Sequence, residues 1–469
     1  MPRFPGANLI LISLDTLRAD ALSMYGGADQ ASPALAAFAK EAVVFAHARS
    51  QSPHTAPSHM SIFTSLFPSV HGVQNVAVRE HPARGESPLL VRSIPHTIPT
   101  LADVLAASGY DTVGLSNGGN LNPSHGFDHG FRNYSYFLRD LPAHIAKARE
   151  WLAHFAETRE PPFYFFWHTY EIHAPYLPPV EYAELFLADD YAGPLASRVE
   201  RFRRQSSAED WGKEKWDLAE QYWRNSEHFD ESDVRYLHGL YLGEVAYTDA
   251  KLGTLFAELR AGGLLDSSIV VVLSDHGEQF REHGSFGHDE VFEETLRVPL
   301  LIRLPGGVMG GRRIDTPVAL MDVMPTLLDL LDIDPAKVPG LQMQGHSLAA
   351  AMLSGEEPEA YPITSEVRSD RQGSAARYWW VAHYDSGLKL VRDGFSGEDE
   401  PAVHFFDLED DPGEQRDLRG RADPRAARLA AYHDRWHAAV EAAQPRYPDA
   451  GSELPPGTES ELRKLGYIQ

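Results

Sequence analysis

Cysteine is absent from this chain of 469 residues, and its absence excludes disulfide bonds, thiolate nucleophiles and zinc–thiolate sites. Basic residues are also scarce, because 42 Lys and Arg stand against 67 Asp and Glu, for a formal net charge of -25. This balance argues against a partner such as nucleic acid or an anionic membrane, since both are bound through basic surfaces. An acidic protein can still act on an anion if its site carries a metal ion or histidines.

Long hydrophobic runs are missing as well. No run reaches about 18 apolar residues, so the sequence predicts no membrane span. The segment 1–20 has only a short apolar run that leads into Asp15 without a cleavage site of small residues, and we do not expect it to be a signal peptide. We therefore expect a cytoplasmic protein, although a periplasmic or secreted chain trimmed of its signal would look the same. Whether the protein forms a homo-oligomer is left open.

Short apolar runs rich in β-branched or aromatic residues predict strands that are buried on both faces of a parallel sheet. They cover residues 8–15, 111–117, 162–173, 268–278 and 298–306. Helical patterns lie between them, for example at 33–46, 97–110 and 241–265. Strands that alternate with helices predict an α/β fold with a doubly wound, mostly parallel sheet.

The composition changes twice along the chain. Residues 180–240 are polar and charged, and they predict a helical insertion whose aromatic residues either pack in a core or line a pocket: Trp211, Trp216, Tyr222 and Trp223. From about residue 345, alternating segments predict antiparallel strands, and a helix follows at 423–443. We predict a catalytic α/β domain over 1–345 and a smaller α+β part over 346–469.

Polar side chains stand at the ends of three predicted strands. They are Asp15, then His168, Glu171 and His173, then Asp275 and His276. Each alone is readily explained as a cap or a satisfied polar residue. Because ligands bind beyond the carboxyl ends of the strands in open parallel sheets, their equivalent positions favour one shared polar site. Two Asp and one His suit a divalent cation, and the histidine favours Mn or Zn over Ca or Mg.

The segment SPHTAPSHMS, residues 52–61, leaves two roles open for Thr55. Pro57 and the helical spacing after it predict a helix start, where Thr is a common cap. Alternatively, the Thr55 hydroxyl is a fourth metal ligand, which the metal would help to deprotonate. A helix N-terminus would also favour an anion at this place.

Blocks along nearly the whole chain resemble the sulfatase family of the alkaline phosphatase superfamily. They are LISLDTLRADALSMYG at 11–26, HTAPSHMSIFTSLFPSVHGV at 54–73, GFDHGF at 126–131, HTYEIHAPYLPP at 168–179, the segment 274–306 that begins SDHGEQFREHG, FFDLEDDPGEQRDL at 405–418 and LRKLGYI at 462–468. The resemblance implies an alkaline-phosphatase-like fold and a metal-dependent hydrolase that cleaves sulfate or phosphate esters through a covalent intermediate.

The resemblance also implies roles for single residues. Metal ligands are matched by Asp15, Thr55, Asp275 and His276, and Thr55 falls at the nucleophile position. Positions that face the substrate are matched by His173 and His288, more loosely by Asn75, and we add His59 and His168 as neighbours with catalytic or binding roles. A second metal could be bound by Glu171, His173 and His288, with His168 or His283 nearby. We expect one metal site, with a second left open.

Two departures from the family pattern concern the nucleophile. Sulfatases convert Cys or Ser to formylglycine within a Cys/Ser-x-Pro-x-Arg motif, whereas this chain has Thr55 at the first position and His59 at the last. An unmodified threonine nucleophile is what the phosphodiesterase and nucleotide pyrophosphatase branch uses. We therefore predict hydrolysis of a small anionic phosphate ester, a phosphodiester, a phosphonate ester or a phosphomonoester, through a phospho-threonine. The alternatives are a sulfuric ester hydrolase and a catalytically weak, metal-containing binding protein.

Overall fold

The computed structural model describes residues 3–73, 90–95, 97–118, 121–123, 126–136, 140–188, 191, 193–205, 228–370, 377–395, 402–421, 423–443 and 450–453. Asn75 and the four aromatic residues of the predicted insertion, Trp211, Trp216, Tyr222 and Trp223, lie outside the described residues. Among the helices that are described, none has the length and apolar content needed to cross a membrane.

The strands are numbered here in chain order. They are β1 (Asn8–Leu14), β2 (Val43–Phe45), β3 (Ala48–Arg49), β4 (Leu90–Ser93), β5 (Asp111–Ser116), β6 (Asn133–Tyr136), β7 (Phe163–Thr169), β8 (Ser268–Leu273), β9 (Gln279–Phe280), β10 (Phe286–Gly287), β11 (Arg297–Val298), β12 (Leu300–Arg303), β13 (Arg313–Ile314), β14 (Val318–Ala319), β15 (Ile363–Asp370), β16 (Arg377–Asp385), β17 (Leu388–Phe395), β18 (Ala402–Asp407) and β19 (Ala450–Glu453). The α-helices span Pro33–Ala39, Thr55–Thr64, Pro68–His71, Leu101–Ala107, Leu141–Thr158, Val180–Ala183, Pro194–Gln205, Glu231–Ala261, Leu264–Ser267, Glu293–Leu296, Val323–Leu330, Ala349–Ser354 and Pro424–Ala443.

An eight-stranded sheet in the order β13-β2-β12-β8-β1-β7-β5-β6 forms the centre of the molecule. All its neighbouring strands are parallel except β12, which runs antiparallel to both β2 and β8. The chain leaves β8 at Leu273 and re-enters the sheet at Leu300, which pairs with Leu273. Because the connecting segment 274–299 returns to the end of the sheet where β8 finishes, β12 must run antiparallel to β8. The predicted mostly parallel sheet is confirmed.

The sheet is covered on both faces, as a doubly wound fold requires. Alternate residues of β1 point into two separate cores, with Leu9 and Leu11 in one and Ile10 and Ile12 in the other. All four side chains are at most 1% exposed. This burial explains why the strands appear in the sequence as continuous apolar runs rather than as alternating patterns.

Two predicted elements differ from the structure. The helix predicted over 33–46 ends at Ala39, and Val43–Phe45 is strand β2, because its β-branched residues pair with β12 and β13. The helix predicted over 241–265 begins ten residues earlier, at Glu231 with a capping box on Asp230, and the bounds of the predicted insertion stay a prediction.

The C-terminal part contains the predicted small antiparallel sheet, in the order β15-β16-β17-β18, followed by the helix Pro424–Ala443. The boundary at residue 345 stays a prediction. Side chains of Leu348, Ala349 and Met352 pack into the same core as β1, so this core extends past that boundary.

Candidate functional site

Three predicted metal ligands lie together at the carboxyl edge of the central sheet. Asp15 directly follows β1, while Asp275 and His276 follow the neighbouring parallel strand β8, in which Leu273 pairs with Ser13. Their carboxylate oxygens and imidazole nitrogen lie within 4.8 Å of one another. All three residues are 0% exposed. The structure therefore brings together the donor set that the strand ends predict.

Thr55 is the first residue of the helix Thr55–Thr64 and points its hydroxyl at this group. The residue before it, His54, occupies the cap position, and no side chain caps the helix. Thr55 Oγ1 lies 3.5 Å from Asp15 Oδ2 and 3.3 Å from His276 Nε2. The side chain of Thr55 is thus directed at the carboxylate–imidazole cluster and does not act as a cap.

The oxygens of this cluster fit a cation. Asp15 Oδ1 and both carboxylate oxygens of Asp275 are buried without a hydrogen-bond partner. Leaving buried carboxylate oxygens unpaired costs free energy unless a positive charge compensates them. Burial and the neighbouring Asp275 raise the pKa of Asp15 well above its ordinary value. A divalent cation would remove this strain, because it pairs with both carboxylates at once.

His276 is held in the form that binds a metal. Its Nδ1–H donates to the carbonyl of Gly277 at 2.9 Å, which leaves the lone pair on Nε2 facing the cluster. Burial, with the nearby His288 as a further cause, holds the pKa of His276 well below its ordinary value, so the ring is neutral. A side chain at Gly277 would overlap the carbonyl oxygen of Glu294, so the tight approach of this segment requires glycine.

Two further histidines that are predicted to belong to the site use their ring nitrogens within the protein. His59 uses both ring nitrogens within the protein: Nδ1–H donates to the Thr55 carbonyl and Nε2 accepts from Ser13 Oγ, each at 2.8 Å. His168 donates from Nε2 to Asp15 Oδ2 at 3.0 Å. Both rings are 0% exposed, and burial lowers the pKa of each to about 4. The geometry thus argues against substrate contact by His59 and His168 and gives both a supporting position.

His173 and His288 lie beside each other next to the cluster, and their substrate-facing role stays a prediction. Their Nε2 atoms are 3.3 Å apart, and the His288 ring lies 4.3 Å from the His276 ring. Burial, with His54 as a further cause, lowers the pKa of His288 to about 4. A neutral His288 ring can accept a proton or donate a hydrogen bond to a bound anion.

The second metal site stays a prediction, and its acidic residue lies at the start of a helix. Glu171 accepts a hydrogen bond from the backbone N–H of Leu141 at 3.2 Å, at the start of the helix Leu141–Thr158, and it joins no metal-type group among the described residues. His283 is 2.7 Å from Glu294 and stacks on Phe292, so it does not face the cluster either.

Sequence reasoning missed two residues that adjoin predicted ones. His54 Nε2 lies 2.9 Å from Asp289 Oδ1, and these two form a second metal-type group with His288. His54 directly precedes Thr55 and Asp289 directly follows His288, so adjacency was the only signal for them in the sequence. A third such group, His59, His168 and Asp275, shares Asp275 with the cluster.

Similarity to known proteins agrees with this geometry. The family model Sulfatase matches residues 7–333, more than two thirds of the chain, and the model N-sulphoglucosamine sulphohydrolase, C-terminal, matches residues 281–432. Arylsulfatase K of Danio rerio is 41% identical over 174 residues, which are 35% of this chain and 32% of that protein. The chain thus spans about a third of the length of the curated relatives it matches.

Solved structures share the fold at low sequence identity. The phosphonate monoester hydrolase of Agrobacterium radiobacter has a TM-score of 0.68 and 20% identity, with 96% of this chain and 97% of that chain covered. A protein solved with its substrate D-glucosamine-2-N,6-O-disulfate has a TM-score of 0.66 and 19% identity, with 95% and 98% covered. Together with the family match, these similarities lead to one conclusion: the chain belongs to the sulfatase family, within the alkaline phosphatase superfamily.

Proposed function

We propose that this protein hydrolyses small anionic phosphate esters, with Thr55 as the covalent nucleophile and a divalent cation held by Asp15, Thr55, Asp275 and His276. One observation carries the proposal: the Thr55 hydroxyl lies 3.5 Å from Asp15 Oδ2, in a cluster whose other three carboxylate oxygens are buried without a hydrogen-bond partner. A hydroxyl that served only as a helix cap would bond to the backbone of its own helix, whereas the cap position here belongs to His54 and the Thr55 hydroxyl lies beside Asp15 and His276.

The reaction has two steps. Thr55 Oγ1 attacks phosphorus, its hydroxyl proton is released, and the bond to the leaving alcohol breaks, so that the alcohol departs with a proton. Water then attacks the phospho-threonine, which restores the Thr55 hydroxyl and releases the phosphate product. A bound divalent cation would supply Lewis-acid stabilisation of the developing charge and would lower the pKa of the Thr55 hydroxyl. Asp15, Asp275 and His276 orient that hydroxyl.

His173 and His288 are the groups proposed to face the transferred anion. Their Nε2 atoms lie 3.3 Å apart and the His288 ring lies 4.3 Å from the His276 ring, so the two histidines form one unit beside the cluster. Imidazoles rather than guanidinium groups fill this position among the described residues around Thr55. A single negative charge therefore fits better than a dianion, which favours a phosphodiester or phosphonate ester over a phosphomonoester.

A sulfuric ester hydrolase is the second candidate, because the chain belongs to the sulfatase family and is similar to arylsulfatase K. The threonine at the nucleophile position, Thr55, argues against sulfuric ester hydrolysis. A formylglycine hydrate expels sulfate by collapsing to the aldehyde, whereas a sulfate ester on threonine would have to be hydrolysed directly.

The identity of the cation is a further part of the proposal. Sulfatase family members commonly use Ca or Mg. We propose Mn or Zn here, because the imidazole of His276 is a borderline donor that these ions accept more readily. One site is proposed at the Thr55 cluster. A second ion, if metal analysis finds one, would have His54, His288 and Asp289 as its donors rather than Glu171.

The test compares kcat/KM for an aryl phosphodiester, an aryl phosphomonoester and an aryl sulfate on one preparation of the protein. We expect the phosphodiester to be the best substrate, and we expect chelation followed by dialysis to abolish its turnover and Mn or Zn to restore it. Thr55→Ala should lose activity. The matched control is Thr64→Ala in the same helix, where the hydroxyl only donates to the Met60 carbonyl at 2.7 Å. Preference for the aryl sulfate would favour the second candidate.

A further inference from the structure

Tyr170 contacts His173 in two ways at once. The two rings stack with centroids 4.0 Å apart and an interplanar angle of 18°. Tyr170 Oη also lies 2.7 Å from His173 Nε2. Both residues are buried, at 7% and 1% exposure. One tyrosine thus restrains both the plane and the ring edge of a histidine that faces the Thr55 cluster.

The backbone fixes the other edge of the same ring. His173 Nδ1–H donates to the Ala174 carbonyl at 2.8 Å, so the neutral ring carries its lone pair on Nε2. The Tyr170 hydroxyl can donate to this lone pair. With both nitrogens engaged, the ring cannot turn over, and Nε2 stays 3.3 Å from His288 Nε2.

Gly118 provides the space for this arrangement. It lies just beyond the end of β5, the neighbour of β7, and has a φ of +96°, a conformation that favours glycine. A Cβ at residue 118 would lie 2.7 Å from Cδ2 and 3.1 Å from Cγ of Tyr170. Any side chain there would therefore push the tyrosine ring away from its place on His173.

We propose that Tyr170 is a positioning residue that holds His173 against His288, the histidine proposed to face the transferred anion, and that Gly118 leaves the space the tyrosine ring needs. The inference rests on the proposed function, since it assigns a task to Tyr170 within the same hydrolase site. The contact chain runs from Tyr170 through His173 and His288 to His276, and from there to Thr55. Loss of the Tyr170 hydroxyl would keep the stacking of the two rings but remove the hydrogen bond to His173 Nε2.

The experiment is a double-mutant cycle with Tyr170→Phe, His173→Ala and the double variant, assayed for kcat and KM on the best aryl ester. Tyr170→Phe should lower kcat/KM about tenfold in the wild-type background, the size expected for one hydrogen bond. In the His173→Ala background the same change should cost less than about twofold, because the ring to be positioned is gone. Metal content should be unchanged in Tyr170→Phe, and the assay is run well below the lowest Tm of the variants, because each change removes a buried contact.

A matched control and a second variant sharpen the result. Tyr134→Phe removes a hydroxyl that donates to the Leu121 carbonyl at 2.8 Å, remote from the cluster, and should keep wild-type kinetics. Gly118→Ala should reduce kcat/KM at least as much as Tyr170→Phe, and if that variant fails to fold, Tyr170→Phe still decides the matter.

Two contrary outcomes are distinguishable. An active wild-type protein whose Tyr170→Phe variant is equally active, or loses the same factor with and without His173, would overturn the positioning role alone. A metal-loaded wild-type protein without turnover of any ester would overturn the proposed function and this inference together.

Discussion

Replacing Asp275 by Asn should stabilise the metal-free protein and weaken its response to metal. The carboxylates of Asp15 and Asp275 are buried within 4.8 Å of each other, so two full charges would repel by about 3.5 kcal/mol at an effective dielectric constant of about 20. Protonation of Asp15, whose pKa is raised well above its ordinary value, relieves part of this repulsion. We expect a net gain of about 2 kcal/mol in the metal-free Asn variant at pH 8.

The metal-loaded comparison should have the opposite sign. A ligand at a hundred times its Kd stabilises the native state by about 2.7 kcal/mol, so wild-type Tm should rise with Mn or Zn. Asp275→Asn removes a charged ligand, and its Tm should rise much less. The two proteins therefore exchange their order of stability between chelator and metal.

The assay is thermal unfolding at one fixed scan rate, with and without metal, because a chain of this size often unfolds irreversibly. The matched control is Asp249→Asn, a buried carboxylate whose two oxygens accept from the Ala34 and Leu35 N–H groups, each at 2.8 Å. That variant should be destabilised in both conditions. An Asp275→Asn protein that is less stable than wild type in chelator, or that gains the full metal shift, would refute the cation-site argument.

Three further predictions concern the site and its support. Metal affinity should fall as pH is lowered, because protons compete with the metal for Asp15. The raised pKa of Asp15 places this loss of affinity at a higher pH than an ordinary carboxylate would. Isothermal titration at several pH values measures the Kd, and a pH-independent Kd would contradict the prediction. Lys389→Met should destabilise the protein by about 3–5 kcal/mol in chemical denaturation, because the buried ammonium lies 3.2 Å from Glu293 and 2.8 Å from Glu414. The exposed pair of Lys147 and Glu150 should contribute less than about 1 kcal/mol. Equal losses of stability from the two pairs would be inconsistent with this prediction. Burial alone would raise the pKa of Glu293, but Arg49 and Lys389 lower it to about 2. The contribution of Glu293 to stability should therefore be complete above about pH 4.5 and be lost as pH falls toward 2. Acid unfolding curves of wild type and Glu293→Gln that coincide in this range would count against the prediction.

Strand ends could be predicted from the sequence because their signal is local. Asp15 and Asp275 each follow an uninterrupted apolar run, and parallel strands must deliver their ends to one edge. The direction of β12 and the strand character of Val43–Phe45 could not be predicted in this way. Both depend on pairing between segments that are distant in the chain, and the short run VVF after a helical pattern carries no sign of its partner.

Residue types were predicted better than residue orientation. Thr55 and His59 lie one turn apart on the same helix, yet the Thr55 hydroxyl contacts Asp15 and His276 while both ring nitrogens of His59 bond to Ser13 and to the helix backbone. No local pattern distinguishes a histidine that faces a substrate from one that supports a ligand, because the difference lies in which partner reaches its nitrogens. Tyr170 and Gly118 were missed for the same reason, since their link exists only where β5 lies beside β7.

The most direct test of the central claim is to trap the covalent intermediate. The metal-loaded protein is quenched in acid during turnover of an aryl phosphodiester, digested, and analysed by mass spectrometry, with Thr55→Ala as the control. We expect the peptide that contains residues 52–61 to carry a phosphoryl ester on Thr55, and we expect no modified peptide from the control. An unmodified Thr55 in a protein that turns over its substrate through an intermediate on another residue, or a Thr55→Ala variant with wild-type rates, would contradict the account.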